Sequence, residues 1–256
     1  MKIAVSGKGG VGKSTVAAAL ALLLAARGDR VLAVDADPDS NLASALGIPA
    51  AARSSIVPIA QRKALIEERT GAKVKQYGQI FKMNPDVSDL AAACGYLHAG
   101  VGLLVLGAVE AGGSGCACPE SVLLKALVMD LVLYKGDTLI LDMEAGIEHL
   151  GRATARGVDT MLVVVEPGQR SVDCAERIVD MSRQIGLRDV RAVASKVRSA
   201  EDEAFLRAAL GGIPLVGSIP FSEGIYAADR DGKSVLDGAE PAVVDRFRQV
   251  LAALEA

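Results

Sequence analysis

The sequence predicts an α/β fold in which helices flank a doubly wound, mostly parallel sheet, and three observations support that class. Short apolar runs typical of strands alternate with helical patterns along most of the chain. Of the 256 residues, 51% are hydrophobic but only 3% are aromatic, so aliphatic side chains must fill the core, as they do around buried parallel strands. A glycine-rich segment follows the first strand-like run, and such sheets bind ligands at the carboxyl ends of their strands.

The individual elements follow from the positions of these runs. Strands are predicted at residues 2–6, 30–35, 102–106, 138–142, 160–166, 190–194 and 214–219. Helices are predicted at residues 13–27, 171–185, 200–210 and 241–254. Residues 50–100 are less regular, with a helical stretch near residues 59–68, and are interpreted as an insertion. The sequence shows no repeat and no long linker, so residues 1–256 are expected to form one domain.

Charge and hydropathy argue against two classes of partner. The net charge of −3 arises from 28 basic and 31 acidic residues that are not strongly segregated, which gives no electrostatic reason to expect a polyanionic partner such as a nucleic acid. The first residues lack the basic, apolar and small-residue regions that follow one another in a signal peptide. The apolar runs are shorter than the roughly 20 residues that span a bilayer. We therefore expect a cytoplasmic protein with neither nucleic acid nor membrane as partner.

The glycine-rich segment matches the phosphate-binding pattern G-x-x-x-x-G-K-[ST] between a predicted strand and a predicted helix. Its glycines allow backbone N–H groups to turn toward phosphates, while Lys13 reaches the β and γ oxygens and Ser14 ligates Mg²⁺. The residues predicted to bind ATP or ADP here are Gly7, Gly9, Gly10, Val11, Gly12, Lys13, Ser14 and Thr15. The pattern predicts an ATPase.

Carboxylates follow two of the other predicted strands. Asp35 and Asp37 come at the end of the second strand, and Asp142 ends the strand at residues 138–142. Parallel strands bring these ends to one edge of the sheet, near the γ-phosphate. One carboxylate there can orient the attacking water while another supports the Mg²⁺ shell.

Two of the four cysteines are close in sequence, at Cys116 and Cys118. In an extended segment, residues two apart point the same way with Cα atoms about 6 to 7 Å apart, so both sulfurs can approach one metal ion. Pro119 suits the first position of a helix, which places Cys118 near the N-cap. Two thiolates leave a metal unsaturated, and a two-fold dimer would supply the other two. The alternative is that Cys116 and Cys118 have no metal-binding role. Cys94 and Cys174 are expected to be ordinary buried thiols.

Lys8, the second residue of the phosphate-binding segment, gives the chain the deviant pattern that resembles the MinD, ParA and nitrogenase iron protein class of P-loop NTPases. The resemblance implies that Lys8 contacts the phosphates of the partner subunit in a nucleotide-bound homodimer. It also implies that Asp37 positions water and belongs to the Mg²⁺ site, and that Asp142 lies near Mg²⁺ through water. Asp35, Asp142 and Gly146 would form the switch segments.

A closer resemblance rests on residues 1–5 with the phosphate-binding segment and on the runs at residues 34–42, 115–120 and 142–149, of which the last two are the specific ones. These are similar to the CooC-type accessory ATPases of carbon monoxide dehydrogenase. In that family the cysteines of two subunits bind one Ni²⁺ or Zn²⁺ ion per dimer, and nickel carbon monoxide dehydrogenase is the client. The resemblance therefore implies a nickel-insertion ATPase. It leaves open whether the metal is nickel or zinc, and whether the client is carbon monoxide dehydrogenase or acetyl-CoA synthase.

The chain departs from its class at the base-binding segment. Ser195 and Lys196 stand where an Asn-Lys pair is common, and Pro220 and Phe221 are the further residues expected to contact the base. Two other functions also stay open. One is an iron–sulfur reductase, although only Cys94 and Cys116 could supply its separated ligands. The other is a MinD- or ParA-type positioning ATPase, although residues 241–256 carry two arginines against acidic neighbours rather than a basic tail.

Overall fold

The computed structural model describes residues 1–74, 76, 78–108, 118–134, 136–144 and 152–256. Eight strands form one sheet in the order β3-β4-β2-β5-β1-β6-β7-β8 within these residues. Every neighbouring pair is parallel except β3 and β4. The predicted doubly wound, mostly parallel α/β fold is confirmed.

The element bounds are as follows. The strands are β1 Lys2–Gly7, β2 Val31–Asp35, β3 Tyr96–His98, β4 Val101–Val105, β5 Thr138–Asp142, β6 Thr160–Val165, β7 Val190–Val197 and β8 Leu215–Pro220. The helices in the first half are α1 Lys13–Ala26, α2 Leu42–Ala45, α3 Ala50–Arg53, α4 Lys63–Thr70, α5 Leu90–Cys94 and α6 Pro119–Tyr134, with a 3-10 turn at Ile59–Gln61. The later helices are α7 Arg152–Ala155, α8 Gln169–Ile185, α9 Ala200–Ala209, α10 Glu223–Asp231, α11 Val235–Gly238 and α12 Pro241–Glu255.

The core lies on both faces of the sheet. On one face, α1 and α12 pack with large buried side chains such as Leu20, Leu24 and Phe247. On the other face, α6 and α8 contribute residues that include Leu127 and Ile178. Because the central strands are covered on both sides, they carry uninterrupted aliphatic runs, and all six residues of β6 are buried. The strand order places the end of β1 at the middle of the sheet, between β5 and β6.

The structure corrects the region at residues 50–100, which contains more regular structure than the sequence indicated. The edge strand β3 pairs antiparallel with β4 through a tight turn in which Ala99 and Gly100 have φ of 47° and 79°. Three residues, of which the middle one, Leu97, is 75% exposed, give too short an alternation to stand out as a strand. Among the described residues no helix is long and apolar enough to cross a bilayer.

Candidate nucleotide-binding site

The phosphate-binding segment connects β1 to α1 by a turn that only glycine permits at key positions. Gly7 has φ of 153°, and a Cβ there would lie 2.4 Å from the carbonyl oxygen of Val164 on the neighbouring strand β6. Gly12 occupies the N-cap of α1 with φ of 98°, a left-handed conformation that side chains disfavour. The N–H groups of the first turn of α1 therefore face the loop, which is the usual arrangement for holding phosphate.

Lys13 begins α1 and lies almost completely within this loop, with 8% of its side chain exposed. Its Nζ is 3.6 Å from Oδ2 of Asp37. Asp37 follows β2, so the structure brings together the two residues that the sequence assigned to phosphate binding and water positioning. A nucleotide entering this loop would draw the Lys13 ammonium from Asp37 toward its phosphates.

Asp35 and Asp142 face each other in the sheet register at the ends of β2 and β5, and both are fully buried. Asp35 accepts hydrogen bonds from the hydroxyl of Ser40 at 2.5 Å and from the backbone N–H groups of Leu42 and Asp37 at 3.0 and 3.3 Å. Burial raises the pKa of Asp35 to about 6, against the effect of these donors. The carboxylate of Asp35 thus organises the loop that carries Asp37.

Asp142 has a different environment from Asp35. Neither of its carboxylate oxygens makes a hydrogen bond of normal geometry within the described part of the chain. Burial raises the pKa of Asp142 to about 7, and the nearby Ser14 hydroxyl and Lys13 ammonium oppose that rise only in part. A buried carboxylate beside a serine hydroxyl suits a hydrated Mg²⁺ ion, because both groups supply oxygen ligands. Gly146, the remaining switch residue of the sequence analysis, lies outside the described residues.

Lys8 projects from the phosphate-binding segment toward the end of β6. Its Nζ lies 3.1 Å from Oε1 of Glu166, the residue directly after β6. The second oxygen of Glu166 lies 3.9 Å from Nζ of Lys196. Lys196 also donates a hydrogen bond to the carbonyl oxygen of Gly10. The outer half of the loop is therefore attached to β6 and β7 by two lysines that share one carboxylate.

A cleft of about 630 Å³ extends from the phosphate-binding segment to β8 and α10, a volume typical of small-molecule sites. All four residues that the sequence assigned to the base line this cleft: Ser195, Lys196, Pro220 and Phe221. Ser195 is buried. The guanidinium of Arg198 stacks over the Phe221 ring at 3.8 Å from its centroid, which holds the ring in place.

The cleft contains further residues that sequence reasoning missed. Its lining includes Asn41, Ser44, Glu144, Tyr226, Asp229 and Lys233. Tyr226 is the residue that the sequence could most easily have indicated, because aromatic residues are scarce in this chain. The residue is 66% exposed in the fold. Its position follows from α10, whose N-cap Ser222 accepts a hydrogen bond from the N–H of Ile225. The sequence analysis did not identify that helix.

Of the two neighbouring cysteines, the structure describes only Cys118, while Cys116 lies outside the described residues. The Cys118 carbonyl accepts the N–H of Val122, and its sulfur accepts the N–H of Ser121 at 3.4 Å. Cys118 therefore caps α6, as expected. The described residues contain no group of three or more potential metal ligands. Cys174 is buried as predicted, but Cys94 is only half-buried because it ends the short helix α5 before the edge strand.

Comparison with known proteins places this site in a family. A family model described as the CobQ/CobB/MinD/ParA nucleotide binding domain matches residues 2–235. The chain belongs to that family. Like other CobQ/CobB/MinD/ParA proteins, it is a P-loop ATPase.

Relatives within this family extend over almost the whole chain. The chain is 44% identical over 254 residues to the carbon monoxide dehydrogenase accessory protein CooC of Rhodospirillum rubrum, covering 99% of this chain and 96% of that protein. It is 43% identical to an uncharacterized ATP-binding protein of Methanocaldococcus jannaschii, with coverage of 92% and 91%. The resemblance to CooC-type proteins inferred from the motifs is thereby confirmed.

Solved structures agree on the fold. A ParA family ATPase from Chlorobium tepidum superimposes with a TM-score of 0.69 at 19% identity, covering 100% of this chain and 99% of that chain. The septum site-determining protein MinD of Pyrococcus horikoshii, complexed with Mg-ADP, superimposes with a TM-score of 0.63 at 20% identity, with coverage of 98% and 94%. At these identities the superpositions show only that the chain shares its architecture, the MinD-like P-loop fold, with these two proteins.

Proposed function

We propose that the protein is an ATP-dependent nickel-insertion factor that matures the active-site cluster of carbon monoxide dehydrogenase. The observation that carries this proposal is the 44% identity to a carbon monoxide dehydrogenase accessory protein over 99% of the chain. The two lysines of the phosphate-binding segment and the cysteine cap of α6 are consistent with it. Nickel or zinc is in this view the cargo, and ATP hydrolysis is the reaction that drives its transfer.

For hydrolysis we assign distinct roles to the residues at the strand ends. Lys13 leaves Asp37 to neutralise the β- and γ-phosphates, while the carboxylate of Asp37 becomes free to orient the attacking water. Ser14, Asp37 and Asp142 would hold Mg²⁺, which supplies charge neutralisation of the phosphates when bound. Asp35 keeps the Asp37 loop in place through its three hydrogen bonds. Asp35, Asp142 and Gly146 are the switch positions that respond to the γ-phosphate.

The active species in this proposal is a homodimer that sandwiches the nucleotides. Lys8 is 38% exposed through its side chain, so it is accessible to a second subunit. There its ammonium would contact the partner's phosphates and stabilise the charge that develops during transfer, as an arginine finger does. Nucleotide binding and dimerisation then favour each other, because each supplies contacts that the other lacks.

The cargo site in this proposal consists of Cys116 and Cys118 from each subunit, with one Ni²⁺ or Zn²⁺ ion per dimer. Cys118 is suited to the role because the N-terminus of α6 directs an N–H group at its sulfur, which stabilises a thiolate ligand. Four thiolates from a two-fold pair satisfy a tetrahedral or square-planar ion. Closure of the dimer on ATP would change the distance between the two cysteine pairs and thereby couple metal affinity to the nucleotide.

Equilibrium dialysis against Ni²⁺ and Zn²⁺, with the subunit mass measured in parallel, tests the proposal. The wild-type protein should bind half an ion per chain as a dimer, and replacing Cys116 and Cys118 with alanine should remove that ion and leave ADP affinity within about twofold. Cys94→Ala is the matched control, because Cys94 is also half-buried, and it should retain the metal.

Several outcomes would contradict the metal assignment. Unchanged nickel content in the double variant would exclude the two cysteines as ligands. Four irons per dimer with absorbance near 400 nm would instead identify an iron–sulfur reductase. ATP-dependent sedimentation with liposomes or DNA would indicate a positioning ATPase.

The remaining assignments belong to the same proposal. We infer that residues 1–256 form one ATPase domain and that the protein acts in the cytoplasm, where thiols stay reduced for metal binding. The base of ATP would contact four residues that line the cleft: Ser195, Lys196, Pro220 and Phe221. The client and the identity of the cellular metal are to be settled by reconstitution with the dehydrogenase.

A further inference from the structure

Glu166 takes no part in the proposed function, yet it occupies a central place beside the phosphate-binding segment. It follows β6, the strand adjacent to β1 in the sheet. Its backbone N–H donates to the hydroxyl of Ser171, which is buried in α8. The position of Glu166 is therefore fixed by β6 and by its hydrogen bond to α8. In the sequence it lies 158 positions from Lys8.

The two oxygens of this carboxylate have different partners. Oε1 accepts a hydrogen bond from the Lys8 ammonium at 3.1 Å, whereas Oε2 lies 3.9 Å from Lys196. Lys196 is itself constrained, because it donates to the carbonyl of Gly10 and has a left-handed φ of 57°. Of the two cations, Lys8 makes the closer contact with Glu166, whereas a second hydrogen bond, to Gly10, holds Lys196 in place.

We infer that Glu166 is a positioning residue that holds Lys8 within its own subunit until ATP brings a second subunit into contact. The inference rests on the proposed function, in which Lys8 contacts the partner's phosphates. To extend across a subunit interface, the Lys8 side chain must leave Glu166. Breaking that ion pair opposes dimerisation, and a dimer must break two of them.

The expected size of the effect follows from the exposure of the pair. Side chains of Lys8 and Glu166 are 38% and 28% exposed, and partly exposed ion pairs shift equilibria by roughly 1.5- to 5-fold. Two pairs per dimer give a combined shift of roughly 2- to 25-fold in the dimer dissociation constant. Glu166 would thus set the protein concentration at which ATP assembles the dimer, and so keep subunits apart when the nucleotide is absent.

The test is the dissociation constant of the dimer at saturating Mg-ATP, measured by analytical ultracentrifugation in an Asp37→Ala background that slows hydrolysis. Glu166→Gln should tighten the dimer by roughly 2- to 25-fold. Salt screens an exposed ion pair. The difference in dimer dissociation constant between the protein with Glu166 and the Glu166→Gln variant should therefore shrink as ionic strength rises. A merely structural role for Glu166 would not produce that salt dependence. ADP affinity of the monomer should stay within about twofold.

Glu203→Gln is the matched control. Glu203 also pairs with a cation, Arg207 at 2.6 Å on α9, but away from the phosphate-binding segment, and its removal should leave dimerisation unchanged. If Glu166→Gln does not fold, Glu166→Asp draws the charge back from Lys8 and should give a smaller tightening. A dimer that is weaker or unchanged in the Glu166 variant overturns the inference.

The Lys8→Met variant separates this inference from the proposed function. It should lose ATP-dependent dimerisation, and adding Glu166→Gln should not restore it. Restoration would mean that Glu166 opposes assembly without Lys8, which overturns the positioning role. If Lys8→Met dimerises normally with ATP, the proposed role of Lys8 across the interface is wrong. If Lys8 is required but Glu166→Gln has no effect, only the inference fails.

Discussion

The two ends of the nucleotide cleft are built on different physical principles. At the phosphate end, Lys13 and the carboxylates Asp35 and Asp142 are buried, and tight backbone contacts fix the loop. At the base end, toward β8 and α10, Tyr226, Asp229 and Lys233 are exposed, and Phe221 lies beneath the guanidinium of Arg198. The buried charges at the phosphate end therefore destabilise the nucleotide-free fold, whereas the exposed side chains at the base end carry no such cost.

The largest effect is expected from Gly7→Ala, which tests whether the phosphate end depends on close backbone approach. The new Cβ would lie 2.4 Å from the Val164 carbonyl at a φ of 153°. Steric overlap and backbone strain together should lower the free energy of unfolding by about 3 kcal/mol or more. Thermal and urea denaturation of the nucleotide-free protein would measure the loss, together with ATP binding.

Gly9→Ala in the same loop is the matched control for that substitution. A Cβ at Gly9 meets no atom within 4 Å, so stability should stay close to that of the wild type. Equal losses in the two variants would show that a methyl group destabilises this loop at either glycine, and that the contact with Val164 is not the cause.

How far the sequence predicted each end also follows this division. At the phosphate end, Lys13, Asp37, Asp35 and Asp142 lie together as the sequence indicated, because each is in a short run at or directly after the end of a strand, and parallel strands end at one edge. The base end was predicted only in part, since it joins residues near positions 41–44, 195–196 and 219–235. Its shape depends on α10, which the sequence analysis did not identify. The contact of Lys8 with Glu166 depends on strand order, which no local pattern encodes.

The buried carboxylates of the phosphate end should make the stability of the nucleotide-free fold depend on pH. The pKa of Asp142 is about 7 in the fold and about 4 in an unfolded chain. Between these values the unfolded chain releases the proton first, so the stability of the nucleotide-free protein should fall as pH rises from about 4 to about 7, then level off. Asp142→Asn cannot lose a proton. It should match the wild type near pH 4 and exceed it by roughly 2 to 4 kcal/mol at pH 8.

Urea denaturation across this pH range, without Mg²⁺ or nucleotide, would measure the difference. Asp180→Asn is the control, because Asp180 is exposed on α8, and it should leave the pH profile unchanged. The neighbouring Asp35, with its pKa raised to about 6, should keep a smaller slope in the Asp142 variant. A profile identical to that of the wild type would mean that the ionised Asp142 side chain does not destabilise the fold. The phosphate end would then not differ from the base end in this respect.

The smallest effect is expected at the base end. Phe221→Ala removes a ring that lines the cleft and that Arg198 covers at 3.8 Å. Loss of one aromatic contact should weaken ATP binding by roughly 2- to 10-fold, with the turnover number at saturating ATP and the stability of the fold little changed. Calorimetric titration with ATP and steady-state ATPase kinetics would separate the two quantities. Phe205→Ala, on the exposed side of α9, should alter neither. A fall in turnover as large as the fall in affinity would show that base contacts and phosphate chemistry are coupled, so that the cleft works as one unit rather than as two independent ends.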